Sequence, residues 1–137
     1  PDVHARLILY KRISNAENDE QLDDLRAEVV DRFGPLPEPL QQLFRVTALK
    51  LRMQPLGIRR LDLGAEGGRV EFNPDTTVDP GRIVSLVQNQ TATYRLDGAT
   101  QLRVSRQLAD FDARLQFAGE LLDQLAPPRP TERAASA

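Results

Sequence analysis

Between residues 31 and 44 the chain reads DRFGPLPEPLQQLF, with prolines at 35, 37 and 39. Proline fixes its own φ and has no N–H to donate, so a run this dense permits neither a continuous helix nor an inner strand. An apolar-periodic segment ends at Phe33. Gly34 suits the position just past a helix end because, lacking a Cβ, it tolerates the left-handed conformation. Pro37 and Pro39 suit the first turn of a following helix, where a missing N–H has no partner in any case. The stretch therefore predicts a joint between two helices.

On either side the apolar spacing fits that reading. Leu7, Ile8, Leu9, Tyr10 and Ile13 suit a short helix over 6–16, with the start of a strand as the alternative. Asn18 with Gln21 three residues on has the form of a capping box. Leu22, Leu25, Val29 and Phe33 then fall on one stripe at helical spacing. A third helix over 38–54 buries Leu40, Leu43, Phe44, Leu51 and some of Val46, Ala48 and Leu49, and ends at Pro55 and Gly57.

After Gly57 the period changes. IRRLDL (58–63) and RVEF (69–72) alternate, with the turn expected at EGG (66–68). Asp79-Pro80 is an N-cap and first-turn pair opening a helix to about Gln88, with Ile83, Leu86 and Val87 inward. ATYRLDG (92–98) and QLRVSR (101–106) form a second hairpin around Asp97-Gly98. A long helix over 108–125 follows, with Leu108, Phe111, Leu115, Ala118, Leu122 and Leu125 on one face. The fold class is α+β: N-terminal helices, then antiparallel β-hairpins interleaved with helices, and a long C-terminal helix. Residues 1–126 are expected to form a single domain, and 127–137, PPRPTERAASA, a disordered tail with nothing to bury.

Bulk properties narrow the function. With 137 residues the chain has enough length for one sizeable core. A net charge of −2 argues against a protein whose main task is holding a phosphate backbone. There is no cysteine, hence no disulfide, thiolate metal site or cysteine nucleophile. No apolar run approaches the roughly 20 residues that span a bilayer, and the start does not read as a signal peptide. The chain also begins without Met, as an excised piece would. His4 is the single histidine and lies near a chain end, which is poor ground for acid–base or metal chemistry. There is no phosphate-binding loop, calcium loop or nucleophile elbow. No catalytic, cofactor-binding or metal site emerges.

Two charged features remain. Arg59, Arg60, Arg69, Arg95, Arg103 and Arg106 cluster in the β half, which raises nucleic-acid binding by an arginine-bearing sheet face as the alternative function. The aromatic partners are only Phe72 and Tyr94, without the stacking pattern of RNA-binding sheets. The other feature is ENDEQLDDLRAEVVD, residues 17–31. At 100° per residue Asp24, Glu28 and Asp31 share a sector of about 60°, opposite the apolar stripe. Asp24 and Glu28 are a like-charge i,i+4 pair, and Asp31 lies near the negative end of the helix dipole. Local helix physics disfavours this stripe, with Arg32 a partial offset. Such a face is either simply solvated or suited to a basic partner.

RLILYKRIS (6–14), VVDRFGPLP (29–37), LGIRRLDLGAEGGRVEF (56–72) and YRLDG (94–98) stand in the same order and spacing as in the C-terminal domain of bacterial transcription-repair coupling factors, the Mfd family. The chain resembles that domain over roughly residues 5–125. The resemblance implies a parent protein that is a large multidomain ATPase, acting on RNA polymerase stalled at a DNA lesion. That parent translocates on DNA and recruits the excision-repair protein UvrA in the cytoplasm. ATP and Mg would belong to its upstream motor, with no cofactor in this chain. It further implies that this domain packs on a UvrB-like N-terminal module of the same protein and masks the UvrA-binding surface. UvrA and RNA polymerase are then indirect partners, DNA is reached through the motor, and no membrane is involved. The inhibitory contact carries over, by position in EVVDRFG, to Glu28 and Asp31, with Asp24 and Arg32 as neighbours by geometry. Phe33 is assigned to the core stripe and Gly34 to the helix end.

Overall fold

The computed structural model describes residues 3–126; the expected tail at 127–137 lies outside the described residues. The elements run α1 (Val3–Ser14), α2 (Asp19–Phe33), α3 (Glu38–Met53), a 3-10 turn (Gln54–Leu56), β1 (Ile58–Gly64), β2 (Gly67–Phe72), α4 (Pro80–Asn89), β3 (Tyr94–Asp97), β4 (Gln101–Ser105) and α5 (Phe111–Leu125). This is the expected α+β class. The chain divides into two compact units, with the boundary between Arg52 and Met53.

The first unit holds α1, α2 and α3. Its core is Ile13, Leu22, Val29, Leu40 and Phe44, with Leu9, Tyr10, Leu25 and Leu43 among those packed on it. The N-cap of α2 forms as read, Asn18 Oδ1 accepting from the Gln21 N–H at 2.8 Å, but the return bond differs from a capping box: Gln21 Oε1 accepts from the N–H of Glu17, one residue before the cap, at 2.9 Å. At α3 the Pro37 carbonyl accepts from the Leu40 and Gln41 N–H groups, so the prolines start the helix without losing a bond. Phe44 is fully buried with the Arg26 guanidinium over its ring at 5.0 Å, which joins α2 to α3. Thr47 is buried as well, because its hydroxyl donates to the Leu43 carbonyl one turn back at 2.8 Å.

Two expectations at the end of α2 need correction. Phe33 is not in the core: it is 64% exposed, with the Arg32 guanidinium 5.6 Å from its ring. It keeps the angular position of the stripe but lies in the last turn, past the apolar partners that cover Leu22 and Val29. Gly34 does end the helix, donating its N–H to the Val30 carbonyl at 2.8 Å. Its φ of 83° and ψ of −158°, however, place it in the extended positive-φ region rather than the left-handed helical one.

The second unit is a four-stranded antiparallel sheet in the order β1-β2-β4-β3, with α4 and α5. The two hairpins meet along β2 and β4, where Val70 stands opposite Leu102 and both are buried. Phe72, Tyr94 and Val104 share that inner side, and Phe117, Ala118, Leu121, Leu122 and Leu125 of α5 are buried with them. The Tyr94 and Phe117 rings stack at 6.2 Å. α5 starts at Phe111 rather than 108, capped by Asp110, whose Oδ1 accepts from the Ala113 N–H at 2.8 Å. Leu108 is still buried, held in the preceding loop by its N–H bond to the Ala65 carbonyl. The first hairpin turns at Ala65-Glu66, and the expected turn glycines Gly67 and Gly68 belong to β2. A Cβ at Gly67 would meet the Val104 carbonyl oxygen, and one at Gly68 that of Asp62. These glycines let neighbouring backbones approach closely.

Candidate docking surface on the second helix

α2 carries six acids and two arginines in DEQLDDLRAEVVDRF, a net −4 in a chain of net −2. The apolar stripe fixes its rotation. With Leu22 and Val29 buried, helix geometry turns Asp24, Glu28 and Asp31 to the other side. Asp24, Asp31 and Arg32 are exposed, and Glu28 is half-buried.

Glu28 has a partner that helical spacing does not reveal. Arg12, in the last turn of α1, donates from Nη1 to Glu28 Oε2 at 2.7 Å and from Nη2 to Oε1 at 3.3 Å. This is a two-pronged ion pair between residues sixteen positions apart. The hydrogen bond from Arg12 is the main reason the Glu28 carboxyl titrates below its ordinary value, and desolvation opposes it in part. Arg12 is raised in return, first by the same hydrogen bond. Beside the pair, a shallow groove of about 340 Å³ between α1 and α2 is lined by Arg12, Asn15, Ala16, Gln21, Asp24, Leu25 and Glu28. Asp24 and Asp31 make no ion pair among the described residues. The structure thus brings Asp24 and Glu28 to one groove, leaves Asp31 open a turn further on, and turns Arg32 toward Phe33.

The sheet arginines are arranged differently from a phosphate track. Arg69 stands opposite Arg103, and Arg103 opposite Arg95, in one row across three strands. Carboxylates interleave with them: Arg60 pairs with Asp62 at 2.9 Å, Arg103 with Asp97 at 3.1 Å, and Arg59 and Arg69 lie 3.8 Å from Glu71 and Asp62. Arg106 packs over the Phe117 ring at 5.4 Å instead. Among the described residues no group of three or more His, Asp or Glu side chains is placed to hold a metal ion. None of the described helices is long and apolar enough to cross a membrane.

Comparison with known proteins supplies the family. The model of the TRCF domain family matches residues 1–83, which takes in α1–α3 and the first hairpin. The transcription-repair-coupling factor of Haemophilus influenzae is 39% identical over 125 residues, 91% of this chain and 11% of that protein. Its Escherichia coli K12 counterpart is 37% identical over the same shares. That of Myxococcus xanthus is 40% identical over 95 residues, 69% of this chain and 8% of that protein. The chain therefore spans only about a tenth of the length of these relatives. A crystal structure of the C-terminal domain of transcription-repair coupling factor superposes with a TM-score of 0.68 at 18% identity, covering 90% of this chain and 83% of that one. That likeness concerns the fold, and it has the same mixed architecture. The family match over more than half of the chain, with relatives 37–39% identical over 91% of it, shows that this chain belongs to the transcription-repair coupling factor family.

Proposed function

We propose that this chain is a non-catalytic regulatory domain which docks, through the acidic face of α2, on a UvrB-like N-terminal module of its own protein. Docking masks the UvrA-binding surface of that module until the protein engages RNA polymerase stalled at damaged DNA. One observation carries the reading: Glu28 and Asp31 lie one turn apart on the outward side of α2, in the family segment EVVDRFG, while Leu22 and Val29 anchor that helix from behind. ATP and Mg belong in this reading to a motor elsewhere in the protein, which also supplies the contact with DNA. The site of action is the cytoplasm.

Weak contacts suit such a role. An exposed ion pair contributes about 0.2–1 kcal/mol, so two or three give a contact that releases readily. Two modules on one chain meet at an effective concentration that reaches about millimolar for short flexible linkers, which compensates for low intrinsic affinity. In the full-length protein, Glu28→Lys with Asp31→Lys is expected to raise UvrA affinity. Circular dichroism of the isolated variant domain should show the native spectrum and a cooperative melt, with only the small loss of stability that follows from breaking the exposed Arg12–Glu28 pair. A natively folded double variant with unchanged UvrA binding overturns the proposal.

A further inference from the structure

We infer that Arg12 is a built-in counter-ion of the docking face, competing with the partner's cation for Glu28 and holding the contact weak enough to release. The inference rests on the docking function proposed above and assigns its regulation to a residue outside α2.

Three features of the pair support it. Its backbone positions are fixed: Ile13, next to Arg12, is fully buried, and Val29, next to Glu28, is 1% exposed. The charged ends are nonetheless open to water, at 48% and 41% exposure, so the pair exchanges with solvent and with other ions. Of the arginines of α2 itself, Arg26 lies over Phe44, and Arg32 lies over Phe33 and acts on Glu28 only through space, as the smallest influence on that carboxyl, whereas the Arg12 hydrogen bond is the largest. Arg12 thus cancels one of the three stripe charges and leaves Asp24 and Asp31.

The sign follows from the acceptor geometry. A carboxylate offers about four lone-pair sites, and the arginine fork takes two of them. A partner lysine or arginine reaching Glu28 either displaces Arg12 or takes the outer sites beside it. Displacement breaks an existing pair; sharing places two cations on one carboxylate. Arg12 weakens the contact in both cases. The partner chemistry this fits is a basic protein surface offering single N–H donors to Glu28, with further cations for Asp24 and Asp31.

The test is a titration of the domain with the isolated UvrB-like module, comparing wild type, Arg12→Gln, Glu28→Gln and the double variant. Arg12→Gln is expected to tighten binding about two- to fivefold, the range of one exposed ion pair. It should also steepen the salt dependence, and both effects should vanish in the Glu28→Gln background. Glu28, followed by NMR, should titrate higher once Arg12 is gone. If Glu28→Gln weakens binding while Arg12→Gln leaves it unchanged or weakens it, the competition is overturned and the docking function stands. If Glu28 titrates alike with and without Arg12, the pair does not operate and the inference fails. If Glu28→Gln and the Glu28/Asp31 reversal both leave binding unaltered, the docking function falls and takes this inference with it.

Discussion

Gly34 occupies φ and ψ values that are essentially confined to glycine, and a Cβ there would meet nothing within 4 Å. Its constraint is one of backbone alone. Gly34→Ala should therefore lower unfolding free energy by about 1–3 kcal/mol, measured by denaturant melting; a loss below about 0.5 kcal/mol would show that the joint relaxes without strain. Glycine at this joint was legible from the prolines that follow it, but its conformation was not, since composition does not separate the two positive-φ regions. The caps at Asn18 and Asp79 were legible because their partners lie within three residues. Arg12–Glu28 was not, because no local pattern relates positions sixteen apart on two helices. Its pH signature has a definite sign. A carboxyl whose folded pKa is depressed adds stability that is complete above the unfolded value and is lost as pH falls through the folded one. Below the ordinary glutamate value of 4.5, wild type should thus lose stability more steeply than Arg12→Gln. Matching profiles would mean that the pair adds nothing to the folded state in solution.

α2 shows where periodicity stops being informative. Phe33 is eleven residues from Leu22, which returns it to within about 20° of the same direction, so the spacing alone assigns it to the core. Burial also needs a partner at that height, and the last turn has none for it. Phe44, with the same chemistry but a place inside the core, is fully buried. Phe44→Ala should cost about 3–5 kcal/mol, whereas Phe33→Ser should stay within about 0.5 kcal/mol. Comparable losses from the two, in thermal or denaturant melts, would contradict the exposure of Phe33. In the sheet, alternation was enough to read RVEF as a strand, whose buried positions are Val70 and Phe72, while the irregularity between Ile58 and Arg60 left no trace in the residue pattern. The stripe on α5 was read too narrowly. Phe117 and Leu121 are buried beside Ala118, Leu122 and Leu125, because the helix faces a broad sheet and not a single helix.

For the whole molecule, the order of helices first and hairpins after followed from the change of period at Gly57. The strand order β1-β2-β4-β3 did not follow from it, since either edge of the first hairpin offers the same unpaired groups to the second. Charge is unevenly distributed: α2 alone is more negative than the entire chain. Around the sheet, by contrast, arginines and carboxylates alternate into ion pairs. This contrast singles out α2 as a surface able to attract a basic partner, within the part of the chain that the family model matches. The docking proposal is tested most directly by titrating this domain with the UvrB-like module at low and moderate salt, as wild type and as Glu28→Lys with Asp31→Lys. The account predicts salt-sensitive binding by wild type that the double reversal abolishes. Equal binding by a natively folded reversal variant would contradict it.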